Sequence, residues 1–351
     1  MKASPWYAIP LRPFSWIYGL AIALRNWCYD VHVFRIQKMT VPVISIGNLT
    51  AGGTGKTPIV EYVIDYLQRS GKHPAVISRG YKRTTSGTFV VSDGTTCYGR
   101  VEETGDEPMQ IARKYPGVVV VVDERRSRGA AEALRRKNVD LILLDDGFKH
   151  RALARDLDVV VLDGSDPIMH QPMIPAGTRR EPFSALHRAG VVIVTREPVT
   201  DELKSFVQKH TAASIISVTF KPKSLTDRRK MLGIPKSALN GQKCIAFCGI
   251  GNPRSFVLTL EEFGIQPLDV VIFPDHRHYS TSDIRTIINR ANSCHATLVL
   301  TTEKDAVRFD TSLLSGIPES LQLCSLTIEP DIVEGKDSFH NLLDAVMRRA
   351  A

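Results

Sequence analysis

Short all-apolar runs punctuate the chain and alternate with stretches of helical period, the pattern of a parallel sheet covered on both faces. Val41, Val43, Ile44 and Ile46 show no helical period and read as a buried strand. Residues 74–78, 117–122, 141–144, 157–162 and 191–195 read the same way, and Thr88-Phe89-Val90-Val91-Ser92 alternates before an Asp93-Gly94 turn. Between them, Ile59, Val60, Val63, Ile64 and Leu67 recur at helical spacing until Gly71, and Ala130, Ala131, Ala133 and Leu134 stripe a basic helix over 125–137. Further helices are expected near 109–114, 183–187 and 202–210. Residues 221–240 are basic, hold two prolines and lack apolar periodicity, which predicts a linker. A second series follows, with strands at 244–248, 269–273 and 296–300 and a helix through Phe256 and Leu260. The last helix, 338–349, carries Phe339, Leu342, Leu343 and Val346 on one face, fit to return to the first domain.

One apolar stretch stands outside this rhythm. Trp16 to Leu24 is flanked by Arg12, Arg25, Trp27 and Tyr29, and it is shorter than the ~20 residues a membrane span needs. No small-residue cleavage site follows, which disfavours a signal peptide. Two readings stand: a helix lying in a membrane interface, with Trp and Tyr at headgroup level, or a helix packed on the first sheet. Composition adds that the 351 residues are 43% hydrophobic and 23% charged, ordinary for a globular chain. The net charge of +8 calls for an acidic partner. An anionic membrane surface or a phosphorylated small molecule fits; the cations are scattered without a nucleic-acid-binding signature, so nucleic acid ranks last. Six cysteines without C-x-x-C spacing read as buried hydrophobes in a reducing cytosol.

The chemistry gathers at the carboxyl ends of the expected strands, where open α/β sheets place their sites. After the first strand comes Thr50-Ala51-Gly52-Gly53-Thr54-Gly55-Lys56-Thr57, a phosphate cradle whose backbone N–H groups and helix N-terminus face an anion. Lys56 would reach the β- and γ-phosphates of ATP and the Thr57 hydroxyl would bind Mg²⁺. Thr50 stands where the usual pattern has glycine, so Gly52 and Gly53 are expected to carry the turn. Leu141 to Leu144 leads into Asp145-Asp146, four aliphatics ending in an acid beside the metal, and His150 follows in the same loop. Asp106-Glu107, at a helix start, are either caps or a base and a metal-shell ligand. Arg79, with Lys82 and Arg83, follows a strand, and Arg179-Arg180 sits in a polar loop; both suit phosphate or a solvated surface. In the second series, Pro274-Asp275-His276-Arg277-His278-Tyr279 and Thr301-Thr302-Glu303-Lys304-Asp305 end strands.

Taken together, GNLTAGGTGKTP, SRGYKR, GDEP, LLDDGFKHR, AGTRREP, FCGIGNPRSF, FPDHRHY and TTEKDAVR resemble the tetraacyldisaccharide 4′-kinases, the lipid A 4′-kinases, in that order and over nearly the whole chain. Threonine at the first cradle position is itself how that family's loop looks. The resemblance implies transfer of the ATP γ-phosphate to the 4′-hydroxyl of tetraacyldisaccharide 1-phosphate, making lipid IVA at the cytoplasmic face of the bacterial inner membrane. It implies that Asp145 and Asp146 hold Mg²⁺ and its shell, that Asp106 and His276 take the hydroxyl proton, and that Glu107, His150 and Arg180 support the site. Lys149 and Arg179 depart from the family's usual residues. The fold expected is a P-loop NTPase-like three-layer α/β/α domain with a mainly parallel sheet over 1–220, a linker over 221–240, which the resemblance implies is two-stranded, a smaller α/β/α domain over 241–336, and a C-terminal helix over 337–351. A rival reading is a P-loop NTPase switch or metal-insertion chaperone, but the N-K-x-D by which such GTPases read guanine does not occur.

Overall fold

The computed structural model describes residues 9–349 apart from 137, 167 and 240. The chain forms two units, one made of residues up to 219 together with those from 330 onward, the other of 220–329. In the first unit the elements are α1 (Arg12–Asp30), β1 (Val43–Gly47), α2 (Lys56–Arg69), β2 (Pro74–Ser78), β3 (Phe89–Asp93), α3 (Val101–Thr104), α4 (Asp106–Lys114), β4 (Val119–Val122), α5 (Arg126–Ala133), β5 (Leu141–Asp145), β6 (Leu157–Asp163), β7 (Val191–Thr195), α6 (Asp201–Gln208) and the start of β8 (Ser214–Asp227). Their strands lie in the order β8-β7-β6-β1-β5-β2-β4-β3, and every pairing is parallel except β3 on β4. This is the expected α/β architecture with a mainly parallel sheet.

Both faces of the sheet are covered, which is why its strands read as continuous apolar runs. Val43, Ala75, Ile77, Val119, Val121 and Ile142 pack with Ala130 and Ala133 of α5 in one cluster. Val160, Leu162, Val192 and Val194 pack with Leu203 and Val207 of α6 in another. Each such side chain contributes about 1.5–3 kcal/mol on burial. Register then places the chemistry: β1 lies between β5 and β6 with Ile46 opposite Asp145, so the loops leaving β1 and β5 emerge side by side.

The second unit contains β9 (Leu232–Ile234), β10 (Cys244–Cys248), α7 (Pro253–Glu262), β11 (Val270–Ile272), α8 (Thr281–Ser293), β12 (Leu298–Thr302), α9 (Glu303–Ala306), α10 (Thr311–Ser315) and most of β13 (Gln322–Glu334). Strands β11, β10, β12 and β13 pair in parallel, with a core on each face. Residues 221–227 continue β8, and 225–227 pair antiparallel with β9, Leu225 opposite Ile234. The chain then returns, and α11 (Lys336–Arg348) packs in the first unit. Phe339 and Leu343 are buried, Tyr62 meets His340 Nε2 at 2.7 Å, and the Tyr66 hydroxyl donates to Asp344 at 2.6 Å.

Candidate active site

The turn after β1 is possible because two glycines stand where other residues fail. A Cβ on Gly47 would lie 2.6 Å from Phe148 Cβ, in the loop after β5. Gly55, at φ 81°, caps α2 in the left-handed region. Thr50, in the position usually held by glycine, bridges to Arg179, and the Ala51 N–H donates to the Thr178 carbonyl at 2.7 Å. The loop is pinned at Thr54, which takes hydrogen bonds from Asn48 on its hydroxyl (3.2 Å) and from Thr195 on its carbonyl (2.9 Å). Arg196 donates to the Gly53 carbonyl at 2.7 Å. A Cβ on Gly52 or Gly53 would meet nothing within 4 Å, so this backbone borders open space large enough for phosphate oxygens. Lys56 and Thr57 occupy the first turn of the helix behind it.

Beside the cradle, two adjacent carboxylates occupy opposite environments. Asp145 ends β5, is 3% exposed and accepts from Ser78 Oγ at 2.9 Å. Burial, helped by the negative charges of Glu107 and Asp146, pushes its carboxyl up to about 6. Asp146 turns away at φ 51°, a strained conformation for a non-glycine residue and common at functional sites. It accepts from Lys149 at 2.8 Å and from Arg180 at 3.0 and 3.2 Å, with Lys56 Nζ 3.8 Å away. Burial would raise it too, but Lys56, Arg180 and Lys149 hold it well below the usual carboxylate range. Among the described residues no group of three His, Cys, Asp or Glu side chains could hold a metal ion. Mg²⁺ does not need one, because it is bound by one or two carboxylates with water and substrate phosphates. The residues fit such an ion: Asp145 is a buried carboxylate under like-charge pressure from Glu107, the situation a cation relieves.

On the far side of Asp145 lies a group of donors with nothing to donate to. Arg126 opens α5, is 3% exposed and gives one N–H to the Asp123 carbonyl at 2.6 Å, while its Nε and Nη2 have no partner. Burial, partly offset by Asp145 and Asp146, lowers it to about 10. His150 Nε2 is likewise buried and unpartnered. Burial first, then the charges of Arg126 and Lys149, lowers that imidazole to about 3, so it is neutral at physiological pH. The exposed Arg79 acts electrostatically on both groups. The sequence pattern counts Arg126 only as the start of a basic helix; its signal is its place directly after β4.

Asp106 is 7% exposed in the first turn of α4, where a Cβ on Gly105 would stand 3.1 Å from the Gly80 backbone; this brings the helix start to the end of β2. His276 belongs to the second unit. It too is left-handed, at φ 59°, and its N–H donates to the Gly249 carbonyl at 3.2 Å. Lys304 Nζ stands 3.3 Å from its Nε2. Asp305, fully buried, receives the Tyr279 hydroxyl at 2.9 Å, Arg308 at 2.8 Å and the Gly249 N–H at 3.1 Å. Tyr279 is thus structural, while the loop bearing His276 is braced.

Helix α1 is amphipathic in the reverse sense. Trp16, Ile17, Leu20, Leu24 and Trp27 are exposed, Trp16 by 76% and Leu20 by 73%, while Ser15 and Asn26 are buried. No helix among the described residues is long and apolar enough to cross a membrane. An apolar face of this extent on one helix marks a surface for a partner or a lipid interface.

A profile of the tetraacyldisaccharide-1-P 4′-kinases matches residues 7–348. The tetraacyldisaccharide 4′-kinase of Chlorobium luteolum is 37% identical over 97% of this chain and 98% of its own length. That of Anaeromyxobacter sp. is 36% identical over 99% of this chain and 95% of its own. A crystal structure of LpxK from Aquifex aeolicus in complex with ATP superposes with a TM-score of 0.79 at 30% identity, covering 97% of this chain and 99% of that one.

Proposed function

Because the chain belongs to the tetraacyldisaccharide-1-P 4′-kinase family, we propose that it moves the γ-phosphate of ATP to the 4′-hydroxyl of tetraacyldisaccharide 1-phosphate, forming lipid IVA for lipid A at the cytoplasmic face of the inner membrane. The observation that carries the lipid acceptor is α1, whose exposed Trp, Leu and Ile side chains belong to the same unit as the cradle. A soluble acceptor would have no use for that face. The net charge of +8 suits an anionic leaflet.

The cradle N–H groups from Gly52 to Thr57 and the N-terminus of α2 hold the ATP phosphates, with Lys56 as the point charge and the Ala51 N–H kept by the Thr178 carbonyl. Thr57 and Asp145 would hold Mg²⁺, with Asp146 and Glu107 around it; the ion, when bound, neutralises charge on the β- and γ-phosphates. Arg180 keeps Asp146 ionised and oriented. Arg126, with neutral His150, offers unpartnered buried nitrogens, and exposed Arg79 a further charge, that a second phosphate, the one already on the sugar, would engage. Asp106 and His276 take the proton of the attacking hydroxyl, which matters because a sugar alcohol is a weak nucleophile at neutral pH. Little covalent assistance is needed beyond this; positioning and charge neutralisation dominate phosphoryl transfer.

The test is transfer of radiolabelled γ-phosphate, with Mg²⁺, to tetraacyldisaccharide 1-phosphate in mixed micelles. Label is expected in a lipid-extractable product, and Lys56→Ala is expected to lose more than about a hundredfold in rate. Label released only as free phosphate would overturn the acceptor assignment.

A further inference from the structure

The polar side of α1 does more than fill space against the first unit. Glu181 is 1% exposed, and its carboxylate accepts from Arg25 at 2.7 Å and from Asn26 at 2.9 Å, both on α1. Arg188 Nη2 stands 3.8 Å away as its other cation. The Tyr18 hydroxyl donates to the Arg180 carbonyl at 3.0 Å, and the Ala176 N–H donates to Ser15 Oγ at 3.0 Å. Arg180 then turns its guanidinium to Asp146 and to the Asn48 side chain. From the loop after β5, Arg151 donates to the Asn26 carbonyl at 2.8 Å and to Asp30 at 2.5 Å. Both loops that supply cations or carboxylates to the cradle are therefore fastened to one helix, by groups whose partners lie on α1.

We propose that Glu181 is a positioning residue that couples the seating of α1 to the placement of Arg180, so that the helix carrying the exposed apolar face also sets the grip on Asp146. A buried carboxylate is costly unless it is paired and hydrogen-bonded. With α1 seated, Arg25 and Asn26 satisfy it. With α1 lifted, Glu181 keeps only the longer contact to Arg188, and its side chain must turn to reach water or another donor while the Arg180 N–H still donates to the Leu49 carbonyl at 2.7 Å, so the disturbance falls on the side chains of this segment. Arg180 is adjacent in the chain and loses the Tyr18 hydroxyl at the same moment. An interface that holds α1 by its apolar face and presses its polar face onto this segment thereby favours the geometry in which Asp146 is held. The coupling runs from the lipid surface to the nucleotide site and, by linkage, equally in reverse. It rests on the kinase reading only for its activity readout.

The full-length protein in mixed micelles provides the test, with Mg²⁺-dependent binding of a fluorescent ATP analogue measured beside kcat and the KM for lipid. Glu181→Gln is expected to weaken analogue binding about tenfold, within the usual range of coupling between sites. Tyr18→Phe, which deletes one hydroxyl and decides the matter alone if Glu181→Gln does not fold, is expected to weaken it about threefold. In both, kcat falls with nucleotide affinity, and the KM for lipid rises by no more than the same factor. Leu20→Ser, on the exposed face, is expected to raise the KM for lipid and to weaken analogue binding in micelles by a smaller factor, while analogue binding without micelles stays as in the parent protein. A merely structural role would lower the folded fraction without changing the affinity of what remains folded. Unchanged analogue affinity in Tyr18→Phe and in folded Glu181→Gln, or a change confined to the lipid KM, overturns the coupling. If the parent protein binds the analogue but labels no lipid, while the variants still bind it more weakly, the coupling stands and the kinase reading falls.

Discussion

At the scale of single residues, neighbouring carboxylates are driven apart by their surroundings. Asp145 keeps a raised carboxyl because it is buried against Glu107 and Asp146, whereas Asp146 is held ionised by three cations. A carboxyl raised from 3.8 to about 6 favours the protonated fold, so stability is lost as pH climbs through that window and stays lost above it. Asp145→Asn keeps an acceptor for Ser78 and removes the buried charge. It is expected to stabilise the metal-free protein at pH 7.5 by about 2 kcal/mol in urea unfolding, with the gain vanishing below pH 4, while phosphoryl transfer is abolished. Asp106→Ala and His276→Ala are each expected to lower kcat by 10²–10⁴; a loss of less than about tenfold in the radiolabel assay would remove that residue from the proton-transfer role. Asp145 and Lys56 were legible in the sequence because a strand and a loop frame them. Arg126 and Glu181 were not, since their meaning comes from burial: an arginine early in a basic helix and an acid between Arg180 and Pro182 look like surface until the packing closes around them.

Elements were legible in proportion to how much core they face. The strand 191–195 and the strand 244–248 fall where the apolar runs put them, because burial on both faces leaves a continuous signal. β8 and β13 extend through residues with alternating or partial exposure, and a ribbon that sends only Leu225 and Ile234 toward a core carries little hydrophobic period to read. Hence the basic, proline-containing segment shows no strand signal of its own, although residues 225–227 are paired strand. Helix α1 shows the reverse problem: its apolar run was plain, but only the structure shows which side it turns outward. Trp16→Ser combined with Leu20→Ser is expected to weaken sedimentation with anionic vesicles by about tenfold per side chain. Excising residues 1–28 is a less clean experiment, because it also strips Glu181 of Arg25 and Asn26.

On the scale of the whole molecule, the first unit is discontinuous in sequence, with 220–329 inserted before its last helix. Phe339, Leu343 and Val346 of α11 are buried, and Tyr62 and Tyr66 of α2, the helix behind the cradle, bond to His340 and Asp344. Removing residues 336–351 forfeits on the order of 5 kcal/mol of apolar burial, comparable to the net stability of a typical domain. That truncation is expected to lower the thermal midpoint and to abolish binding of the ATP analogue, although the side-chain bonds of α11 described above go to α2 and not to the cradle.

The ribosome delivers the cradle early and α11 only after all of 220–329. A growing chain can complete the core of 220–329 while its phosphate-binding half still waits for a closing helix. A stalled chain released before α11 would then display the greasy N-terminal helix without a finished nucleotide pocket, and competence to spend ATP would arrive only once that helix had emerged.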